Sequence, residues 1–287
     1  MVGVIEWGTS IEVSTIQVMT TSWDICIRGG GLVGRTLALL LSQSVQTRVL
    51  LVEHASSQQP DVRAYALNEA SRTLLSSVGC WPAVQYATPV QSMQVWGDTG
   101  AQVRFQSPSP LGLTTIVDVP ALENLLDQAV RQRPNITRVP EAAPATLTVI
   151  CEGRHSTTRD QLGVMLERLP YHQHALACRV RTAQPHRQQA LQWFRQTSHG
   201  PDIVALLPLE GPEGSVSAVI WSTAPEHAQQ LQAMAEDIAH KVLTLSVEPA
   251  PSSGNNRWLE FSVADMGHGI AQDVAEKLFT PFFTTKQ

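Results

Sequence analysis

The stretch Asp24-Ile-Cys-Ile-Arg-Gly-Gly-Gly-Leu-Val-Gly34 decides the fold. A short apolar strand runs into a glycine turn, and an apolar helix from Val33 to Leu41 follows at once. In this G-x-G-x-x-G spacing, Gly29 permits a tight turn and Gly31 lets backbone approach a pyrophosphate. Gly34 lets the helix pack closely on the strand, so that the helix N-terminus faces the phosphates. A second strand, Arg48-Val-Leu-Leu-Val52, ends in Glu53, nineteen residues after Gly34. An acidic side chain there can accept the ribose hydroxyls of an adenosine. Glycines spaced this way also occur in ordinary turns. The strand, helix, second strand and terminal acid in order make the pattern a dinucleotide site.

At 287 residues the chain can bury a sizeable core, and its length suggests two domains. A hydrophobic content of 43% with 16% charged residues describes an ordinary globular protein. The net charge of −5, with no cluster of Lys and Arg, excludes a nucleic-acid binder. Cys26, Cys80, Cys151 and Cys178 form no C-x-x-C, and they read as reduced structural thiols in a cytoplasmic chain. No apolar run reaches the length of a membrane span. Residues 1–22 lack Lys, Arg and a continuous apolar core, so an unstructured leader rather than a secretory signal is expected.

Beyond Glu53, apolar residues Leu67, Ala70, Leu74, Leu75 and Val78 recur at helical spacing, and Gly79 follows as a C-cap. Alternation from Val90 to Phe105 around Gly97-Asp98-Thr99-Gly100 predicts a hairpin. Leu122 to Val130 reads as an amphipathic helix, and Pro134 to Pro144 as a loop. Leu147 to Cys151 is a buried strand. Further strands are expected over 174–182, 203–208 and 215–222, with a helix over 225–234. The expected fold class is α/β: a Rossmann-like nucleotide domain interleaved with a mainly antiparallel sheet domain.

The segments Cys26 to Gly34, Arg63-Ala-Tyr-Ala-Leu67, Gly79-Cys-Trp81 and Val95-Trp-Gly-Asp98 together resemble the ubiquinone-biosynthesis aromatic-ring hydroxylases. These are flavin monooxygenases of the para-hydroxybenzoate hydroxylase type. Cys151-Glu-Gly-Arg-His-Ser156 with Arg159 resembles that family's second signature, Asp-Gly-x-x-Ser-x-x-Arg, with Glu152 in place of Asp. The likeness runs over about 23–234. It divides the chain into a nucleotide part of about 23–85 and 145–160 and a substrate part of about 86–130 and 165–234. It implies FAD, with Gly29, Gly31 and Gly34 at the pyrophosphate, Glu53 at the ribose and Arg63 near the flavin. Glu152 and Gly153 belong to the same cofactor set.

NAD(P)H is implied as reductant, and a polyprenylated phenol or another aromatic small molecule as substrate. Peripheral membrane association through that substrate is a further implication. The cofactor carries the difficult chemistry, which fits the lack of any triad, acid–base pair or metal-ligand spacing in this sequence. No catalytic side chain is assigned, and His172 and His174 read as surface residues. The family's third signature, a Gly-Asp-Ala segment, is absent, so a truncated hydroxylase is expected.

Residues 258–270 and 274–286 resemble the ATP-binding domain of sensor histidine kinases, with a D-x-G-x-G box and a phenylalanine-rich box. The resemblance puts Asp265 at the adenine amino group and Gly267 and Gly269 at the backbone beside the nucleotide. Phe279, Phe282 and Phe283 would open the ATP lid. It implies a partial Bergerat-type α/β fragment over 235–287. No asparagine-bearing helix or phosphoacceptor helix accompanies it, and His240 lacks that motif's context. Half a nucleotide pocket supplies too few contacts to hold ATP, so this second site reads as vestigial. The alternatives to an impaired hydroxylase are therefore an ATP-binding kinase fragment and a non-catalytic chimera.

Overall fold

The computed structural model describes residues 23–54, 61–167, 169–238, 243–249 and 259–265. Its elements, in chain order, begin with β1 (Trp23–Arg28), α1 (Leu32–Leu41), β2 (Val49–Val52), β3 (Ala64–Leu67) and α2 (Glu69–Ser77). There follow β4 (Ala87–Val90), β5 (Ser92–Trp96), β6 (Gln102–Gln106), β7 (Thr114–Asp118) and α3 (Val119–Arg131). Next come β8 (Ile136–Val139), β9 (Ala145–Ile150), α4 (Thr157–Gln161), β10 (His174–Arg181) and β11 (Gln189–Thr197). The last are β12 (Gly200–Pro208), β13 (Val216–Thr223), α5 (Pro225–Ile238), β14 (Leu243–Pro249) and β15 (Leu259–Asp265).

A four-stranded sheet in the order β8-β2-β1-β9 is parallel throughout. Buried parallel strands read as continuous apolar runs, and β2 is buried at all four positions. One face of this sheet packs Ile27, Val49 and Leu51 against Leu39 of α1 and Leu122, Leu126 and Val130 of α3. Fully buried Leu or Ile side chains contribute about 1.5–3 kcal/mol each, so this layer dominates the stability of the region. The opposite face carries Cys26, Leu50 and Val52 with Trp23 and Val139 alongside. Two capping side chains start the helices that matter here. Asn68 accepts from the Ser71 amide at α2, and Asp118 accepts from the Ala121 amide at α3.

The predicted turn chemistry holds in detail at two points. Gly79, at φ +75°, ends α2 in the left-handed region. The β5–β6 hairpin pairs Met93 with Phe105 and Val95 with Val103 around the expected turn. The segment 134–144, expected as a loop, instead contains β8, which extends the parallel sheet by pairing with β2. Four residues between two prolines suffice for a short edge strand, and Pro at its borders leaves the ladder intact. Helix α3 was expected with the substrate part. It lies on the parallel sheet because its apolar stripe, Leu122, Leu126 and Val130, matches Leu39 of α1.

A six-stranded sheet runs in the order β10-β13-β12-β11-β5-β6. All its junctions are antiparallel except β11–β5, which is parallel. Between it and the parallel sheet sits a three-stranded antiparallel sheet, β3-β7-β4, which the sequence did not announce. Val90 and Ile116 of this small sheet pack on Ala190, Val216 and Ala218 of the large one. Strands β14 and β15 form an antiparallel pair with Leu243 opposite Asp265. The expected leader, Gly267, Gly269, the three tail phenylalanines and His240 lie outside the described residues. Among the described residues, no helix is long and apolar enough to cross a membrane.

Candidate functional site

The C-terminal ends of β1, β2 and β9 meet at the glycine turn. Gly29 has φ +119°, and a Cβ there would lie 2.4 Å from the Cys151 carbonyl oxygen. A Cβ on Gly34 would lie 1.8 Å from the Gly29 carbonyl oxygen. Both glycines are therefore demanded by the protein's own backbone. Gly31 differs. No atom lies within 4 Å of the position its Cβ would take, and its extended backbone (φ −78°, ψ −174°) admits any residue. Gly31 also precedes α1 with no side-chain cap, and the first turn of α1 holds no acidic residue. The helix thus begins with unsatisfied N–H groups beside open space.

Glu53, at the end of β2, belongs to an ion cluster that the sequence did not announce. Arg35 Nη2 lies 3.1 Å from Glu53 Oε2, and Arg138 Nε donates to Glu53 Oε1. Asp127 of α3 closes the group, 2.9 Å from Arg138 Nη2 and 3.6 Å from Arg35 Nη2. Burial pushes the Asp127 carboxyl up, but the hydrogen bond from Arg131 and the charges of Arg138 and Arg35 hold it below its ordinary value. The Glu53 side chain is only 11% exposed. It lies over Gly30, where a Cβ would fall 2.3 Å from Glu53 Cβ. Two signals for this cluster stand in the sequence: an arginine directly after the glycine fingerprint and a fourth glycine, Gly30, inside it.

Arg63 lies before β3 and is half-exposed. It is held by Asp61 at 2.6 Å and by Glu123 Oε1 at 3.1 Å, and its guanidinium sits 5.9 Å from the Tyr65 ring centre. The paired Asp61 carboxylate raises the Arg63 pKa well above its ordinary value. Glu123 links it to the cluster, because its backbone carbonyl accepts from Arg35 Nη1 at 3.4 Å. From the large sheet, Arg179 reaches across to Asp118 at 2.6 Å and to the Val62 and Arg63 carbonyls at 3.3 Å each. The loop bearing Arg63 is thereby tied to α3 and to the six-stranded sheet.

The Cys151 to Ser156 turn leaves β9 next to the glycine turn. Glu152 accepts from Ser156 Oγ at 2.7 Å, Thr158 Oγ1 at 2.6 Å and the Thr158 amide at 3.2 Å. Arg28 Nε lies 3.1 Å away on the other side. Desolvation raises the Glu152 pKa, while the hydrogen bonds from Thr158 and Ser156 and the Arg28 charge bring it below the ordinary value. A carboxylate one methylene longer than Asp spans this gap and binds the end of β1 to the start of α4. Gly153 adopts φ +72° with open space around it. Asp265 closes β15. Among the described residues, no group of three His, Cys, Asp or Glu is placed to hold a metal.

The large sheet offers a different surface. By register, Met93, Val95, Phe105, Phe194, Ile203 and Ile220 share one face. Near Ala190 and Ala218 that face is covered by the three-stranded sheet. Farther out, Val103, Phe105 and Phe194 are 53%, 50% and 41% exposed. The opposite face is closed by the Trp96–Trp193 stack, at 4.8 Å between ring centres, and by α5. There the buried Asp202 accepts from Thr223, whose hydroxyl lies 3.0 Å from His227 Nδ1.

Residues 22–146 match the FAD binding domain family. The chain is 30% identical over 243 residues to the 3-demethoxyubiquinol 3-hydroxylase of Escherichia coli, covering 74% of this chain and 60% of that protein. It is 27% identical over 264 residues to the mitochondrial ubiquinone biosynthesis monooxygenase COQ6 of Drosophila melanogaster, covering 77% and 54% respectively. The chain thus spans between about half and three fifths of the length of these relatives. In fold it is similar to Pseudomonas aeruginosa PqsL in complex with 2-aminobenzoylacetate, with a TM-score of 0.61 at 20% identity over 74% of this chain and 63% of that one. It is also similar to the p-nitrophenol 4-monooxygenase PnpA of Pseudomonas putida, with a TM-score of 0.60 at 15% identity over 85% and 68%.

Proposed function

We propose that this chain is a flavin-dependent hydroxylase of aromatic rings, of the type that serves ubiquinone biosynthesis. The observation that carries the reading is the open space over Gly31, between an uncapped helix N-terminus and the fixed carboxylate of Glu53. That cradle fits a dinucleotide: N–H groups for a pyrophosphate on one side, an acid for a ribose on the other. In this reading Gly29 and Gly34 shape the turn, Gly31 admits the pyrophosphate and Glu53 takes the ribose hydroxyls. Arg63 lies near the flavin, and Glu152 and Gly153 belong to the same cofactor set.

Bound FAD, reduced by NAD(P)H, supplies the oxygen chemistry. The chain's own residues bind, orient and exclude water. The half-covered face around Phe105 and Phe194 is the platform for the ring substrate, a polyprenylated phenol or a related aromatic, and its apolar breadth suits a hydrophobic tail. The nucleotide part then holds the cofactor and the part built on the six-stranded sheet holds the substrate. The relatives active on ubiquinone precursors support this choice of ring. The kinase-like reading of 235–287 rests on its sequence motif alone.

Adding FAD to the purified chain and following the visible flavin spectrum tests the reading. Saturable binding, followed by NAD(P)H oxidation that quickens with a prenylated phenol, is the expected result. A chain that leaves the flavin spectrum untouched sinks it.

A further inference from the structure

We infer that Arg35 and Arg138 are positioning residues that preset Glu53 as a two-point acceptor for the adenosine ribose; the inference rests on the cofactor reading above. An ionised carboxylate has two oxygens and about four lone-pair sites. Arg35 engages Oε2 and Arg138 engages Oε1, one guanidinium on each oxygen. Among the described residues one acceptor site stays free on each oxygen, which matches the two adjacent hydroxyls of a ribose. The planar guanidinium fork fixes direction as well as charge, which a lysine could not do.

Three further observations make the arrangement a holder rather than a chance ion pair. Glu53 is largely enclosed, at 11% exposure, and its Cβ and Oε2 fill the space that a Cβ on Gly30 would need. Gly30 is therefore required by Glu53, whereas Gly31 leaves room for the ligand. Asp127 supplies a second negative charge, shared among Arg35, Arg138 and Arg131. The cluster's members come from α1, the end of β2, α3 and β8, so the holder forms only when these elements meet.

The alternative is that the cluster merely joins helices to the sheet. Titration with ADP, 2′-deoxy-ADP and 3′-deoxy-ADP separates the two, with FAD binding and apo-protein melting followed in parallel. For the wild type, each missing hydroxyl should weaken binding by about tenfold, the worth of one hydrogen bond to a charged acceptor. In Arg138→Met and Arg35→Met this preference for the intact ribose should collapse to less than about threefold, with ADP binding brought near that of the deoxy forms. In a Glu53→Gln background, Arg138→Met should cost nothing more, because residues acting through one group are not additive.

Variants that keep the wild-type preference for the intact ribose, whatever their melting temperature, overturn the assignment. So does full additivity of the two substitutions. If the wild type binds FAD and ADP but the variants bind them equally well, this inference fails alone. If the wild type binds neither, the cofactor reading fails and this inference with it.

Discussion

The parallel sheet and the six-stranded sheet build their working surfaces in opposite ways. At the glycine turn, tolerances are set by backbone atoms: a Cβ on Gly34 would sit 1.8 Å from a carbonyl oxygen, and Glu53 is clamped between arginines. On the large sheet, the candidate substrate face is a field of side chains that touch little, with Phe105 half-exposed. In the proposed reading the first surface recognises a constant molecule, so one methyl group can destroy it. The second presents shape and greasiness, so it can change residue by residue while the sheet survives.

The sharpest way to break this contrast is Gly34→Val. No side-chain motion can relieve a clash with backbone, so the nucleotide part should lose about 3 kcal/mol or more, read by denaturant unfolding. A variant as stable as the wild type would mean that the turn can relax after all. Gly31→Val comes next. Its open surroundings predict apo stability within about 0.5 kcal/mol of the wild type, while FAD binding, followed by flavin fluorescence, should vanish. A large loss of stability with binding retained would invert the roles of the two glycines.

A smaller effect probes the large sheet through pH. Burial lowers the pKa of His227, the nearby Asp202 partly opposes this, and His199, stacked at 5.1 Å, adds to the lowering. The folded state therefore holds His227 neutral, while the unfolded chain takes up a proton near pH 6.5. Stability from this site is complete above that value and is lost as pH falls through it, until the folded histidine also titrates. Melting temperature should drop by a few degrees between pH 7.5 and 5.5, and His227→Gln should flatten that slope. Depressed carboxylates such as Asp127 and Glu152 act only in more acid solution, so they do not blur the window. The smallest stability effect belongs to Phe105→Ser, expected within about 0.5 kcal/mol. Its signature should instead be a several-fold rise in KM for a prenylated aromatic, without change in FAD affinity.

The same contrast explains what could be read from the sequence. Gly29, Gly34 and the Gly79 cap were legible because each answers a local backbone demand at a fixed offset. Arg138 was not legible: it stands 85 positions from Glu53, in a segment that reads as a loop between prolines. Strand β7 was hidden for a related reason. It pairs with β3 and β4, which are distant in sequence, and its register depends on neither hairpin nor turn. On the large sheet, alternation announced the β5–β6 hairpin, but nothing in it foretold that β5 would lie parallel to β11. Side chains converge there through topology, which single-sequence periodicity does not carry.

That lone parallel junction has a consequence for how the protein is made. Strand β5 ends at Trp96 and β11 begins only at Gln189, with the Trp96–Trp193 stack clasping them. A ribosome adding about 5–20 residues per second needs roughly 5–20 s to make the chain between them. Through that interval the β5–β6 hairpin has no sheet to join, and a lone hairpin is marginal in water. Met93, Val103 and Phe105 then wait in the open, so the nascent chain should draw chaperones to this hairpin before any other part of the sheet exists.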